Sequence, residues 1–456
     1  AVDAAYFAGG GLPNADVEWN VTTRTATYSP PNWDDFTFGI WVPWWFYGEY
    51  HDDDVGFGGG PFPGSETTRE TFSGVTDASG THYLRMDFDG DGEGQPTTVT
   101  AESTVFDVNR QAWSSSTDLL VHPGERYVGL RGTRTFVRQG EPLVIEAIVT
   151  DIDGNAAAGE SLTVEARRLE WRSTVGEWTE EAIDTQTCEV TTADEPVECT
   201  FDTDEGGKYT IVAEAVDAEG RASRTELTRW VSGGTRVPAR NIEQEEATLI
   251  PDQAEYAPGD TAEILVESPF SPAEGLLTVS RNGFVSTETF RVDDFTAVLD
   301  VPIDDAHIPN LHVQVDLVGV AERTADDGTP LPDVADRPAF ATGRLMLDVP
   351  PVARTLSVVA EPADPTLEPG ADTRVDVAVE DAAGNPVVGA ELAVVVVDEA
   401  VLALTAYQLG DPLESFYRPV ASRVWSGYAR SSIVLTDPEE LRDREDEAVP
   451  LSLIHI

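Results

Sequence analysis

Short runs of alternating apolar and polar residues recur along this chain, and that alternation limits its fold more than any other feature. Leu143–Val149 (LVIEAIV), Tyr209–Val216 (YTIVAEAV), Ala262–Val266 (AEILV), Leu311–Val318 (LHVQVDLV) and Val375–Val379 (VDVAV) are short, rich in β-branched residues and mostly of period two. Successive side chains of a strand point to opposite faces, so such runs bury one face and wet the other. Clusters of Gly, Pro, Asp and Asn separate them, and no stretch before residue 400 keeps a 3.6-residue period. The pattern predicts an all-β chain of sandwiches.

Two elements repeat. A corner, Arg138-Gln139-Gly140-Glu141-Pro142, precedes LVIEAIVTD; it returns as Ala257-Pro258-Gly259-Asp260 before TAEILVES and as Glu368-Pro369-Gly370-Ala371-Asp372 before TRVDVAVED. The glycines lie 119 and 111 residues apart, about one sandwich each. Proline before glycine suits a turn whose glycine supplies a positive φ. A hairpin signal, Asp151-Ile152-Asp153-Gly154-Asn155 ahead of Leu162–Ala166, returns as Asp381-Ala382-Ala383-Gly384-Asn385 ahead of Leu392–Val397. There the aspartate closes an Asx-turn and the glycine takes the left-handed position. Repetition at this spacing predicts tandem immunoglobulin-like β-sandwich domains over 1–122, 123–238, 239–350 and 351–450, with linkers at Gly233–Arg240 and Val349–Arg354. The 456 residues suffice for that number of cores, and 41% hydrophobic content is that of globular protein.

Charge removes two classes of partner. The chain carries 83 acidic and 29 basic residues, a net charge of −54, with Lys208 as its one lysine. Such a surface repels nucleic acid and anionic lipid. The longest apolar stretch, Leu392–Val397, is too short to span a bilayer, so membrane attachment would need an anchor elsewhere. Cys188 and Cys199 flank a segment with turn residues Asp194, Glu195 and Pro196. A disulfide across a hairpin fits this spacing and an extracytoplasmic compartment; two free thiols are the alternative. The opening residues, Tyr6, Phe7 and Gly9–Gly11, read as the inside of a domain, so residue 1 is expected to lie within a longer protein. Leu451–Ile456 (LSLIHI) reads as the translation of a sequencing adapter and is set aside.

Catalytic patterns are missing. His51, His82, His122, His307, His312 and His455 form no HExxH, and there is no GxSxG, P-loop or dinucleotide fingerprint. Asp87, Asp89 and Asp91 with Gly92 imitate half of a calcium loop, but its twelfth position is Thr98, so no metal site is assigned; Asp52–Asp54 read as a solvated acidic turn. Neither an enzyme nor a cofactor is expected. Trp41, Trp44 and Trp45, among Phe36, Phe38, Phe46 and Tyr47 and followed by Gly58–Gly60, form either a sugar-stacking platform or a core or inter-domain wedge.

Val396-Val397-Asp398-Glu399 followed by Ala400–Leu404 resembles the motif ahead of the bait region in alpha-2-macroglobulins. Tyr407, Asp411-Pro412-Leu413 and Phe416-Tyr417-Arg418 resemble the bacterial branch of that family. Asp252 with Tyr256–Asp260, and Ser268-Pro269-Phe270, resemble its macroglobulin domains; Gly11-Leu12-Pro13, Tyr28–Pro31, Trp33, Phe38-Gly39 and Asn109–Gln111 are similar in kind. The resemblance implies a broad-spectrum endopeptidase inhibitor whose partners are target proteases. A protease cuts an exposed bait segment, strain is released, and the protease is caged or linked through a thioester. The polar run after Leu435 (TDPEELRDREDEAVP) then reads as the start of the bait, with Leu441, Arg442 and Arg444 as cleavage candidates. The family's Cys-Gly-Glu-Gln thioester motif is absent from this sequence, and in the family it lies well beyond the bait. The alternative reading is a cell-surface adhesin or structural array of immunoglobulin-like repeats. A third is the accessory β-region of a secreted carbohydrate enzyme, motivated by the tryptophans.

Overall fold

The computed structural model describes residues 1–7, 9–45, 67–86, 94–174, 177–234, 245–323, 331–364, 366–368, 370–397, 402, 410–427 and 436. The chain divides into two compact units, Ala1–Thr235 and Arg236–Ile456. Each is all-β, in agreement with the alternating pattern; among the described residues the longest helix has five residues.

The first unit opens with a four-stranded sheet in the order β3-β2-β5-β6. Its strands are β2 (Asp16–Thr25), β3 (Thr67–Val75), β5 (Thr97–Phe106) and β6 (Ala112–Val121). A two-stranded ribbon, β1 (Val2–Asp3) with β4 (Thr81–His82), accompanies it. Val17, Trp19 and Val21 alternate inward along β2, and the indole of Trp19 donates to Nδ1 of His82 at 3.1 Å.

A sandwich follows in the same unit. One sheet has the order β12-β9-β7 and the other β11-β10-β13-β14-β8. The strands are β7 (Arg126–Gly132), β8 (Phe136–Val137), β9 (Leu143–Asp151), β10 (Ser161–Thr174), β11 (Glu177–Thr191), β12 (Val197–Phe201), β13 (Gly207–Val216) and β14 (Ala222–Val231). Leu143, Ile145, Ala147 and Val149 of β9 face Leu162, Val164 and Ala166 of β10, all nearly inaccessible. Burying a Leu or Ile side chain contributes about 1.5–3 kcal/mol, so this period-two set dominates the module's stability.

Ile148, on the opposite face of β9, is also buried, because Phe36, Phe38 and Tyr127 cover it. Phe36 and Phe38 come from a segment about 100 residues upstream that stitches the two sheets together. Thr37 exchanges hydrogen bonds with Leu130 of β7 at 2.9 and 3.0 Å. Gly39 and Trp41 then pair with Glu226 of β14, each at 2.9 Å. The half-buried Trp41 packs edge-on to Trp230, 6.2 Å between centroids, with Trp44 and Trp45 beside it. The aromatic group therefore lies against the β7–β14 sandwich as a wedge. Phe46, Tyr47, Gly58–Gly60, Asp52–Asp54 and Asp87–Asp91 lie outside the described residues.

The second unit repeats the sandwich. Its strands are β15 (Glu245–Glu246), β16 (Thr248–Pro251), β17 (Thr261–Glu267), β18 (Ala273–Ser280), β19 (Phe284–Val292), β20 (Thr296–Pro302), β21 (Asn310–Ala321) and β22 (Arg337–Asp348). Their orders, β16-β17-β20 and β15-β22-β21-β18-β19, repeat the layout of the earlier module, including a short parallel edge strand (β15 on β22, as β8 on β14), but that strand precedes β16 here and follows β7 there. Tyr256 explains the Asp-Tyr-Pro-Gly motif. Its hydroxyl donates to Asp252 at 2.8 Å, the same carboxylate accepts the Glu263 N–H, and the Tyr256 N–H pairs with the Asp348 carbonyl. Glu245, fully buried, meets Arg337 through two contacts of 2.6 and 3.1 Å. A two-stranded hairpin, β23 (Leu356–Pro362) with β24 (Val375–Asp381), comes next.

Among the described residues one corner occurs five times, at Asp77, Asp107, Asp151, Asp217 and Asp381. In each, the carboxylate accepts from the backbone N–H groups two and four residues on, at 2.7–3.1 Å. The residue three on has a positive φ: glycine in four, Arg110 (61°) in the fifth. The left-handed region disfavours side chains by about 1–2 kcal/mol, which is why Arg110 escapes recognition in the sequence.

Two expectations are corrected. Cys188 and Cys199 are bonded, Cα–Cα 5.9 Å, but not across a hairpin. β11 pairs with β10 and β12 with β9, so the bridge ties the edges of opposite sheets. The turn at Asp194–Pro196 carries the chain from one sheet to the other, a switch that spacing does not reveal. Leu392–Val397, read as a strand after the Asp381 hairpin, joins no sheet among the described residues, with Val394, Val395 and Val396 64–89% exposed.

Candidate functional site

The chain ahead of the polar run is held to the second unit by a series of local devices. Asp411 caps a single helical turn, α1 (Pro412–Phe416), accepting the Leu413 N–H at 2.8 Å; Pro412 fits the first helical position because its missing N–H would be unpaired there. This accounts for the Asp-Pro-Leu motif. Tyr417 ends the turn and packs under Arg354, whose guanidinium lies 5.4 Å from its ring.

From there, residues 420–426 run along the outward face of β21. The Asn310 side-chain amide pairs with both main-chain groups of Val420: Oδ1 accepts its N–H at 2.7 Å and Nδ2 donates to its carbonyl at 3.0 Å. Nε2 of His312 lies 2.8 Å from the same carbonyl and donates to it. Backbone N–H groups of Asn282 and Gly283 donate to the carbonyls of Ala421 and Ser422 at 2.9 and 2.8 Å. Ser280 and Ser422 share a hydroxyl contact of 2.7 Å, and Gln314 donates to the Ser426 hydroxyl at 2.9 Å. At the far end of the sheet, Arg323 donates to the Thr436 carbonyl at 2.9 Å. Asn310 is 1% exposed, a burial that this covering segment explains.

Of the residues singled out in the sequence, Val397 is described and exposed. Asp398, Glu399, Leu441, Arg442 and Arg444 lie outside the described residues. Sequence reasoning missed Asn310, His312, Gln314 and Arg323. Asn310, His312 and Gln314 alternate along β21 like any wet strand face, Arg323 follows the strand, and their partners lie about 110 residues away. Among the described residues, no cluster of three or more His, Cys, Asp or Glu is arranged to hold a metal. Among them, too, no helix is long and apolar enough to cross a membrane.

Repeated β-sandwiches are thus followed by a segment anchored on the last of them through its main chain. Residues 247–404 match the alpha-2-macroglobulin bait region domain. The chain is 23% identical over 431 residues to an alpha-2-macroglobulin homolog of Nostoc sp., covering 92% of this chain and 21% of that protein. It is 21% identical over 500 residues to circularly permutated Ras protein 2 of Dictyostelium discoideum, covering 95% of this chain and 12% of the other. A structure of native Escherichia coli alpha-2-macroglobulin aligns at 16% identity and TM-score 0.36, over 96% of this chain and 28% of that one. The chain is thus similar to alpha-2-macroglobulins, and its residues 247–404 match the bait region domain of that family. It spans about a fifth of the length of the Nostoc relative.

Proposed function

We propose that this chain is the part of a broad-spectrum endopeptidase inhibitor that carries four macroglobulin modules, bounded near residues 122, 238 and 350, up to the entrance of a bait. Target proteases are its partners. They cut the polar run after Thr436, with Leu441, Arg442 and Arg444 offering sites to chymotrypsin-like and trypsin-like enzymes. Trapping, and any thioester linkage, belongs to the whole inhibitor. The chain itself performs no catalysis and takes no cofactor. It works outside the cytoplasm, consistent with its disulfide, and any membrane attachment comes from an anchor elsewhere in the protein. The observation that carries this reading is the match of residues 247–404 to the bait region domain, directly ahead of the anchored segment and the charged run.

Brief digestion of the folded chain by several unrelated proteases tests it, with each first cut located by mass. First cuts clustering between residues 437 and 450 are expected. First cuts at 235–244 and 349–355 instead would sink the proposal and favour an adhesin-like array.

A further inference from the structure

The outward face of β21 does more than face water. Leu311, Val313 and Val315 point into the core and are at most 1% exposed, as a sandwich strand requires. On the other side, Asn310 and Gln314, with Thr278 and Ser280 of neighbouring β18, are polar and at most 9% exposed. Buried polar groups persist where they have hydrogen-bond partners. Here residues 420–426 supply partners to Asn310, Gln314 and Ser280. Most of the recognition is of main chain: both groups of Val420 and the carbonyls of Ala421 and Ser422. Peptide hydrolysis requires a segment to leave its folded contacts and extend. Arg423 sharpens the conflict. Its residue is exposed, which would suit a trypsin-like enzyme, yet its φ is +53°, far from an extended backbone.

We propose that the Ser280–Asn310–Gln314 face of this sheet is a docking cradle for residues 420–426 of the same chain, and that it sets the upstream limit of the cleavable segment. Main chain through Ser426 is withheld from proteases, and Arg323 fixes the exit at Thr436. The proposal rests on the bait reading above for its purpose, not for its contacts.

Trypsin digestion of the folded full chain, followed over time by mass, is the test. The bonds after Arg442 and Arg444 are cut while the bond after Arg423 stays intact. In Asn310→Ala, cleavage after Arg423 accelerates roughly 30-fold, the factor that losing two ordinary hydrogen bonds puts on the open population. Hydrogen exchange on the unmutated protein reads the cradle without any variant. The Val420 amide exchanges on the order of 100-fold more slowly than in a free peptide of residues 417–427. Arg423 cut as fast as Arg442 in the unmutated chain, or a Val420 amide exchanging at the peptide's rate, overturns the cradle. A protected Arg423 with no cleavage beyond Thr436 overturns the bait reading and leaves the cradle standing.

Discussion

The sandwich of β7–β14 and the sandwich of β15–β22 share one sheet layout but close their open sides differently. The first borrows: residues 36–41, from upstream of its own strands, stitch β7 to β14, and Cys188–Cys199 staples the opposite edge. The second closes its edges with residues of its own. Its own Asp252–Tyr256 loop caps the end of β22, and Arg337–Glu245 holds the short edge strand. A module dependent on a distant segment is stable only while that segment is docked. A module whose edges are closed from within can act as a platform, and it is this module that carries the cradle.

Glu245→Ala should break the second module hardest. It leaves the Arg337 guanidinium buried without its carboxylate, a loss of about 3–5 kcal/mol. Exchange protection should fall in β15 and β22 and hold in β9; uniform loss would refute the separation. Adding Arg337→Met should restore most of it. Phe38→Ala tests the borrowing, because a Phe-to-Ala truncation in a packed site costs about 3–5 kcal/mol. Protection of β7 and β14 should drop while β21 is unchanged, and a silent Phe38→Ala would show the first module closed on its own. Replacing Cys188 and Cys199 together by alanine should lower that module's denaturant stability by about 3 kcal/mol, from the restored freedom of the loop. A change below a third of that would mean the edges need no staple.

Acid should also separate the two. Burial opposes ionisation of Asp217, but the N–H groups of Glu125 and Arg221 and the Arg221 guanidinium outweigh it and hold the carboxyl at about 2. The Asn155 amide and neighbouring backbone N–H groups likewise lower Asp151. Folded values below unfolded ones give stability that is complete above the unfolded value and is lost as pH falls through the folded one. The first module should therefore weaken between about pH 4 and pH 2. In Asp217→Asn the slope over that window should be shallower; an unchanged slope would remove Asp217 from the account.

Much of this was readable in advance, and the failures share a cause. The inward rows of β9, β13, β17 and β21 announce themselves by period two, and Asp151 and Asp381 by the glycine three residues on. Asp77 and Asp217 follow the same spelling and could have been found with them; Asp107 could not, because Arg110 occupies the glycine position. The pairing of Cys188 with Cys199 follows from count and spacing, but whether it crosses a hairpin or a sandwich depends on which sheet each strand joins. The cradle was invisible for a similar reason. Asn310, His312 and Gln314 take their meaning from Val420 and Ser426, and no local pattern links residues so far apart.

The aspartate corners bear on how a chain of charge −54 behaves in different media. A carboxylate whose oxygen already faces two amide hydrogens has its field met by the backbone and needs no dissolved counterion. Dilution or added salt will redistribute ions around the other acidic side chains, whose repulsion is screened within about 10 Å at 0.1 M. The bends themselves stay put, so each corner should keep its geometry from fresh water to brine while the chain's solubility changes.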